Sequence, residues 1–420
     1  MERVNEIISL LEDGQQDKAL KYYQDVLKSG NNEERFVLGE ELFQLGFLEE
    51  AKDLFLVLLE GYPEEGELLV LVAEVEMELG NEEAAISYLE QLNPNDPSFP
   101  QALLLLADLY QMDGLYEVSE QKLKEAQKIL PDEVIIDFAL GELYAEQGKI
   151  TEAIKSYQKV LPKEENIAGV NINGRIADNL SAGGAFEDAI PYYEKALEEK
   201  VEINTLFNLA LTASQAGLYT IAINRFEEVK GLDPSYHSLY LYLARSYEQE
   251  EMLNEAYNTV IEGIKQDEFN KDLYLYGGKL ALKRGDEQKA EEHFREALAI
   301  DPEFTEAVLL LNKLFLTQDR FDDVLELIEM MDNQEIEEPQ LHWDAAKAFH
   351  GIEKYSEALN KYQLAYTFFK ELPDFLYDYG YFLLEEGKRK DAAEIFNMLL
   401  QTDPSNEEYI EILQRLMDNE

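Results

Sequence analysis

The phrase Gly46-Phe47-Leu48-Glu49-Glu50-Ala51 returns as Gly80-Asn81-Glu82-Glu83-Ala84-Ala85 and again as Gly148-Lys149-Ile150-Thr151-Glu152-Ala153. Variants of it occupy Gly184 to Ala189, Gly217 to Ala222, Gly285 to Ala290 and Gly387 to Ala392. Its last residue aligns down the whole chain, at Ala19, Ala51, Ala85, Ser119, Ala153, Ala189, Ala222, Ala256, Ala290, Val324, Ala358 and Ala392. Successive markers are 34 residues apart in eight of eleven intervals, with extremes of 32 and 36. A fixed period of this size is the signature of stacked repeats. Twelve units use the 420 residues and leave no room for another domain.

Each unit can be read physically. Twelve residues before the marker stands a second small residue, such as Gly39, Ala73, Gly141, Ala244 or Gly278. Small residues at facing positions let two antiparallel helices approach closely. Four residues after the marker is a bulky side chain, including Tyr23, Phe55, Tyr157, Phe226, Phe294 and Phe396. It shares a helix face with the marker and fills the space the small residues leave. Five residues before the marker is glycine in nine of twelve units, where a helix stops and the chain reverses. Proline twelve residues after it, as at Pro63, Pro131 and Pro302, is expected to restart the next helix. The unit is therefore a helix, a tight turn and a second helix.

These offsets resemble the tetratricopeptide repeat, over essentially the whole chain. The resemblance implies an all-α fold: a right-handed α-α superhelical solenoid of about twelve 34-residue helix hairpins with a C-terminal capping helix. Departures are local. Ile7 stands at the first small position of repeat 1, Asn312 and Val324 occupy both small positions of repeat 10, and Glu251, Asp319 and Glu353 replace the turn glycine. Ser405 with Glu408 matches a capping box. Behind it, Tyr409, Ile412, Leu413 and Leu416 form the stripe expected to cover the last repeat's core. The longest interval falls at Pro162 to Gly169, before a helix holding Asn171, Asn173, Gly174 and Asn179, all poor helix formers. That point is either a hinge or a harmless insertion, and Pro191 inside the following helix is expected to kink it. The division expected is an N-terminal half over 1–169, a C-terminal half over 170–404, and a capping helix with tail over 405–420.

Composition narrows the function. Asp and Glu number 88 against 36 Lys and Arg, a formal net charge of −52. The excess is even: residues 1–200 carry 43 acids and 16 bases, and residues 201–420 carry 45 and 20. Such a chain repels nucleic-acid phosphate and has no basic domain to offset it. No cysteine is present, so disulfides, thiolate metal sites and cysteine nucleophiles are excluded. No phosphate loop, dinucleotide fingerprint, nucleophile elbow or H-E-x-x-H pair occurs, and the four histidines (His237, His293, His342, His350) read as structural. The expectation is a non-enzymatic protein with no catalytic or metal-binding residues and no cofactor. No apolar run reaches the ~20 residues a membrane span needs, and a cytoplasmic location is the economical reading.

The resemblance also implies a binding surface, the groove lined by the first helices. Residues fifteen before the marker include Phe36, Val70, Phe207, Leu241, Trp343 and Tyr377; those eleven before it read Glu40, Glu74, Asp108, Glu142, Asp178, Leu211, Arg245, Lys279, Lys313, Lys347 and Tyr381. The second series changes sign at its centre. Four consecutive bases are unexpected where bases are scarce, and they stand beside Phe207, Trp343, Tyr377 and Tyr381. Two readings stay open. The bases could hold an acidic extended segment of a protein or peptide, with carboxylates about every third residue. Alternatively Arg245, Lys279 and Lys347 pair with Asp272, Glu306 and Asp374 one repeat on. Asn208 fits the middle position of the two-carboxylate clamp found in chaperone-docking relatives, but Arg175, Asp178, Ser238 and Tyr242 do not complete it. The expected function is thus an interaction scaffold or adaptor holding a partner segment. The alternative is a peptide-sensing regulator whose superhelical pitch changes on binding.

Overall fold

The computed structural model describes residues 1–332 and 338–417. The last three residues of the expected tail lie outside the described residues. Among the described residues there are 25 helices and one two-stranded hairpin. Helices pair in the order read from the repeat, α1 (Glu2–Glu12) with α2 (Gln16–Ser29) through α23 (Pro373–Glu385) with α24 (Arg389–Thr402), followed by α25 (Glu407–Met417). The chain forms two compact units, Met1–Ala216 and Gly217–Glu420.

The close approach of paired helices rests on the small residues. A Cβ added at Gly39 would lie 2.6 Å from the Phe55 ring, and one at Gly141 would lie 2.6 Å from the Tyr157 ring. Phe55 and Tyr157 are fully buried there. The marker position is sealed too: Ala51, Ala153, Ala256 and Ala358 have no exposed surface. Each turn glycine has a left-handed backbone, for example Gly46 at φ 81° and Gly217 at φ 76°. Glu251, Asp319 and Glu353 adopt the same conformation without being glycine, at φ 59°, 56° and 62°.

Two local expectations are corrected. The repeated prolines sit in the connecting turn: Pro63 precedes α5 (Gly66–Glu78) and Pro131 precedes α9 (Val134–Glu146) by three residues. First-turn prolines occur instead at Pro100, Pro339 and Pro373. The cap of α25 is Asn406, whose Oδ1 accepts from the Tyr409 amide at 3.3 Å, while Ser405 bonds to Asp403. Glu408, the other expected member of the box, accepts from the Tyr381 hydroxyl. The apolar stripe of α25 lands where expected, with Leu413 buried against the core of the last two repeats and Tyr409, Ile412 and Leu416 around it.

The long interval in unit 1 is an ordered hairpin, β1 (Asn166–Ile167) against β2 (Val170–Asn171). Its two turn residues, Ala168 and Gly169, both have positive φ, as a two-residue hairpin turn requires. Ile167 is buried in the core of the flanking repeats. Glu199 pins the hairpin from outside, accepting from Asn166 Nδ2 at 2.6 Å and Asn171 Nδ2 at 2.9 Å. Asn171 also caps α11 (Ile172–Ala182), its Oδ1 accepting from the Gly174 amide at 3.0 Å. Asn171, which reads as a helix weakener, therefore serves as staple and cap. The following helix, α12 (Phe186–Glu199), runs through Pro191.

Candidate functional site

The four bases stand on the first helices of unit 2: α15 (Leu239–Gln249), α17 (Lys271–Lys283), α19 (Thr305–Thr317) and α21 (Pro339–Gly351). One helical turn before each is an apolar residue of the same face, Leu241, Leu275, Leu309 or Trp343. The face thus alternates an apolar row with a charged row.

Three of the bases are engaged. Lys279 pairs with Glu306 at 2.6 Å, as the ion-pair alternative expects. Lys347 pairs with Asp378 at 3.7 Å, in place of Asp374, and lies 4.7 Å above the Trp343 ring. Arg245 stacks over Tyr276 at 5.7 Å. The Tyr276 hydroxyl donates to Glu248, which also takes Lys283 at 2.5 Å. Burial pushes the Glu248 carboxyl up, but the bonds from Lys283 and Tyr276 outweigh it and leave it below the ordinary range. Arg245 and Lys313 are both exposed and without an ion pair among the described residues, and Lys313 has no aromatic ring beneath it there either.

One residue of register contributes. In three repeats the partner of a charged-row residue lies 27 positions on: Gln101 donates to Glu74 at 3.0 Å, Lys279 to Glu306, and Tyr381 to Glu408. For Lys313 that position is Gln340, which cannot neutralise it. The Gln340 amide donates instead to Asp344 Oδ1 at 2.9 Å. Asp344 is buried, and its other oxygen accepts from Asn312 Nδ2 at 3.3 Å. Burial raises the Asp344 carboxyl against the opposing effects of Gln340, Lys347 and Asn312. Asn312, the departure at the small position of repeat 10, is fully buried, and its Oδ1 lacks a partner.

Lys313 borders a cleft of 830 Å³ between α19 and α21. Its apolar walls are Leu309, Leu310, Leu316, Phe321 and Trp343, and Lys347 lines it together with three acids, Glu306 (paired with Lys279), Asp344 and Asp374. Trp343 gives the cleft little surface. It is 8% exposed, its Nε1 donates to Asp378 at 3.0 Å, and its ring meets Phe375 edge-on at 5.4 Å. Tyr377 and Tyr381 stand together at 4.7 Å on α23, Tyr377 being exposed. Phe207 is buried in unit 1, and Asn208 beside it donates to Asp178 at 3.4 Å. The structure therefore brings Lys313, Lys347 and Trp343 to one cleft and sets the other named residues elsewhere. Sequence reading missed Gln340 and Asp344. The signal was available: Gln340 interrupts the acid series Asp272, Glu306 and Asp374 at the position that follows Lys313.

In unit 1 the charged row is tied up similarly. Glu142 accepts from Tyr157 at 2.6 Å and pairs with Arg175 at 2.9 Å, and Asp178 accepts from Tyr193 at 2.7 Å. Glu40 faces Glu67 at the partner position; burial and that like charge raise its carboxyl. The histidines are built into the packing where partners are seen: His293 Nε2 lies 2.9 Å from the Tyr257 hydroxyl and His350 Nε2 lies 2.7 Å from Glu385. Among the described residues no cluster of three metal-ligating side chains occurs, and no helix is long and apolar enough to cross a membrane.

Comparison with known proteins agrees with this architecture. Family models described as YpiA-like tetratricopeptide repeats and YpiA-like C-terminal tetratricopeptide repeats match residues 111–165 and 339–406, and a general tetratricopeptide repeat model matches 36–98. The TPR repeat-containing protein YpiA of Bacillus subtilis is 42% identical over 99% of this chain and 98% of its own length. The TPR repeat-containing protein MJ1428 of Methanocaldococcus jannaschii is 23% identical over 77% of this chain and 67% of its own. Among solved structures, the C-terminal part of a TPR repeat-containing protein from Cytophaga hutchinsonii superposes with a TM-score of 0.50 at 19% identity, covering 56% of this chain and 96% of that one. On the extent and level of the first of these likenesses, the chain belongs to the YpiA-like family of tetratricopeptide-repeat proteins.

Proposed function

We propose that this is a non-enzymatic, cytoplasmic adaptor that holds an extended segment of a partner protein along the first-helix face of unit 2. The observation that carries the reading is Lys313: a base with no ion pair among the described residues, beside a largely apolar cleft, on a face where Lys279 and Lys347 are paired across repeats. In a protein of net charge −52, a partner's carboxylate would complete such a base. Catalysis lacks a comparable foothold. The buried carboxyl with a raised pKa, Asp344, has both oxygens engaged by amide donors, and the cleft offers no nucleophile beside it.

Affinity capture from host lysate tests this, comparing wild type with a variant carrying Glu at 245, 279, 313 and 347. A partner retained by wild type and lost by the variant is the expected result. Retention of the same partners by both would remove the charged row of unit 2 from the binding face.

A further inference from the structure

We propose, building on the groove reading, that the α19–α21 cleft is a two-part subsite that reads an acidic side chain together with a neighbouring bulky apolar one. Lys313 takes the carboxylate, and the wall of Leu309, Leu316 and Phe321 takes the apolar group.

Several observations converge on this pairing. The cleft's 830 Å³ falls within the range of about 300–1,000 Å³ typical of ligand pockets, so it accommodates more than one side chain. Its surface is mainly apolar, and Lys313 at its edge has no ion pair among the described residues. Of the three acids in the lining, Glu306 is taken by Lys279, Asp344 is buried and held by Gln340 and Asn312, and Asp374 makes no ion pair with Lys313 among the described residues. Elsewhere on the face the same register position closes the site: Glu306 neutralises Lys279 across the preceding pair of helices. Gln340 therefore acts as the residue that leaves the subsite open. Lys347 contributes less to recognition, because Asp378 and the Trp343 ring already satisfy it. Alternate residues of an extended segment point the same way about 6.6 Å apart. A carboxylate and an apolar side chain two positions apart thus reach Lys313 and the wall together.

The test uses the full chain and a display library of random 12-residue peptides. Peptides enriched on wild type are synthesised and titrated, with the emission of Trp343, the chain's single tryptophan, as readout. We expect enrichment of an acidic residue one or two positions from a large apolar one. Lys313→Gln should weaken these peptides about tenfold, as expected for loss of one charge-assisted contact, with Lys347→Gln weakening them much less. Gln340→Glu should block them by giving Lys313 the partner that Lys279 has. Urea unfolding of each variant separates loss of binding from loss of fold. Peptides that bind wild type and Lys313→Gln alike would overturn the subsite while leaving groove binding intact. Failure to enrich any peptide would overturn both. Self-association by light scattering that Gln340→Glu abolishes would place a second copy of this chain in the cleft and overturn the proposal.

Discussion

Glu251, Asp319 and Glu353 hold a backbone conformation that nine other repeats give to glycine. A left-handed backbone costs a residue with a Cβ about 1–2 kcal/mol. Each change to glycine recovers part of this, offset by the greater freedom glycine has in the unfolded chain. Glu251→Gly and Glu353→Gly should each stabilise by about 0.5–1 kcal/mol, seen as a higher urea midpoint. Gly46→Ala should do the reverse by a similar amount. At the helix contact the scale is larger. Gly141→Val must displace the fully buried Tyr157 ring, and a destabilisation of about 1–3 kcal/mol or more is expected. Asp344 gives a pH signature. Its folded pKa is raised above the unfolded value, so its contribution to stability is fully present below the unfolded pKa and is lost as pH rises through the folded one. Asp344→Asn removes that loss, and rotation of the Asn312 amide would bring its unpartnered Oδ1 to the new donor. The variant's urea midpoint should exceed that of wild type at neutral pH, with the advantage shrinking on acidification. An equal difference at every pH would show that Asp344 does not titrate in this way.

Among the elements, the helix hairpins were legible because their signals are local and repeated. Ala51 predicts its own burial, Phe55 predicts the space beside Gly39, and Gly46 predicts the turn between them. The hairpin at 166–171 was not legible. Its strands are two residues each, and its stability comes from Ile167 reaching the core and from Glu199, 28 to 33 residues away in sequence. Propensity alone assigned Asn171 to weakness, whereas tertiary contacts use it as a donor and a cap. The same limit hid the cleft. The base series was readable, but that Gln340 and the buried Asn312 both donate to Asp344 depends on tertiary contacts. Asn312 read only as a departure from the repeat. Glu199→Ala should release both asparagines and raise hydrogen exchange at the hairpin amides while leaving α12 protected. Rapid exchange at those amides in the wild type would instead mark the insertion as the hinge.

Across the whole molecule, the charge of −52 sets how any partner is met. An acidic segment is repelled at long range, and the attraction of Lys313 acts only within about 8–10 Å at physiological salt. Affinity for such a segment should fall as salt rises beyond physiological levels, when the contact itself is screened. Affinity unchanged from low to high salt would exclude Lys313 as its anchor. The fold should behave oppositely, gaining stability from the first additions of salt as self-repulsion among 88 carboxylates is screened. The row of unit 1 is acidic, with Glu142 paired to Arg175 and Glu40 facing Glu67, whereas the bases stand on unit 2, and the proposal therefore places binding there. Hydrogen–deuterium exchange of the full chain, alone and saturated with a partner captured from host lysate, tests that assignment most directly. Binding should slow exchange in α17, α19, α21 and α23, and most of all beside Lys313. Protection confined to unit 1, or to the second helices of unit 2, would contradict it.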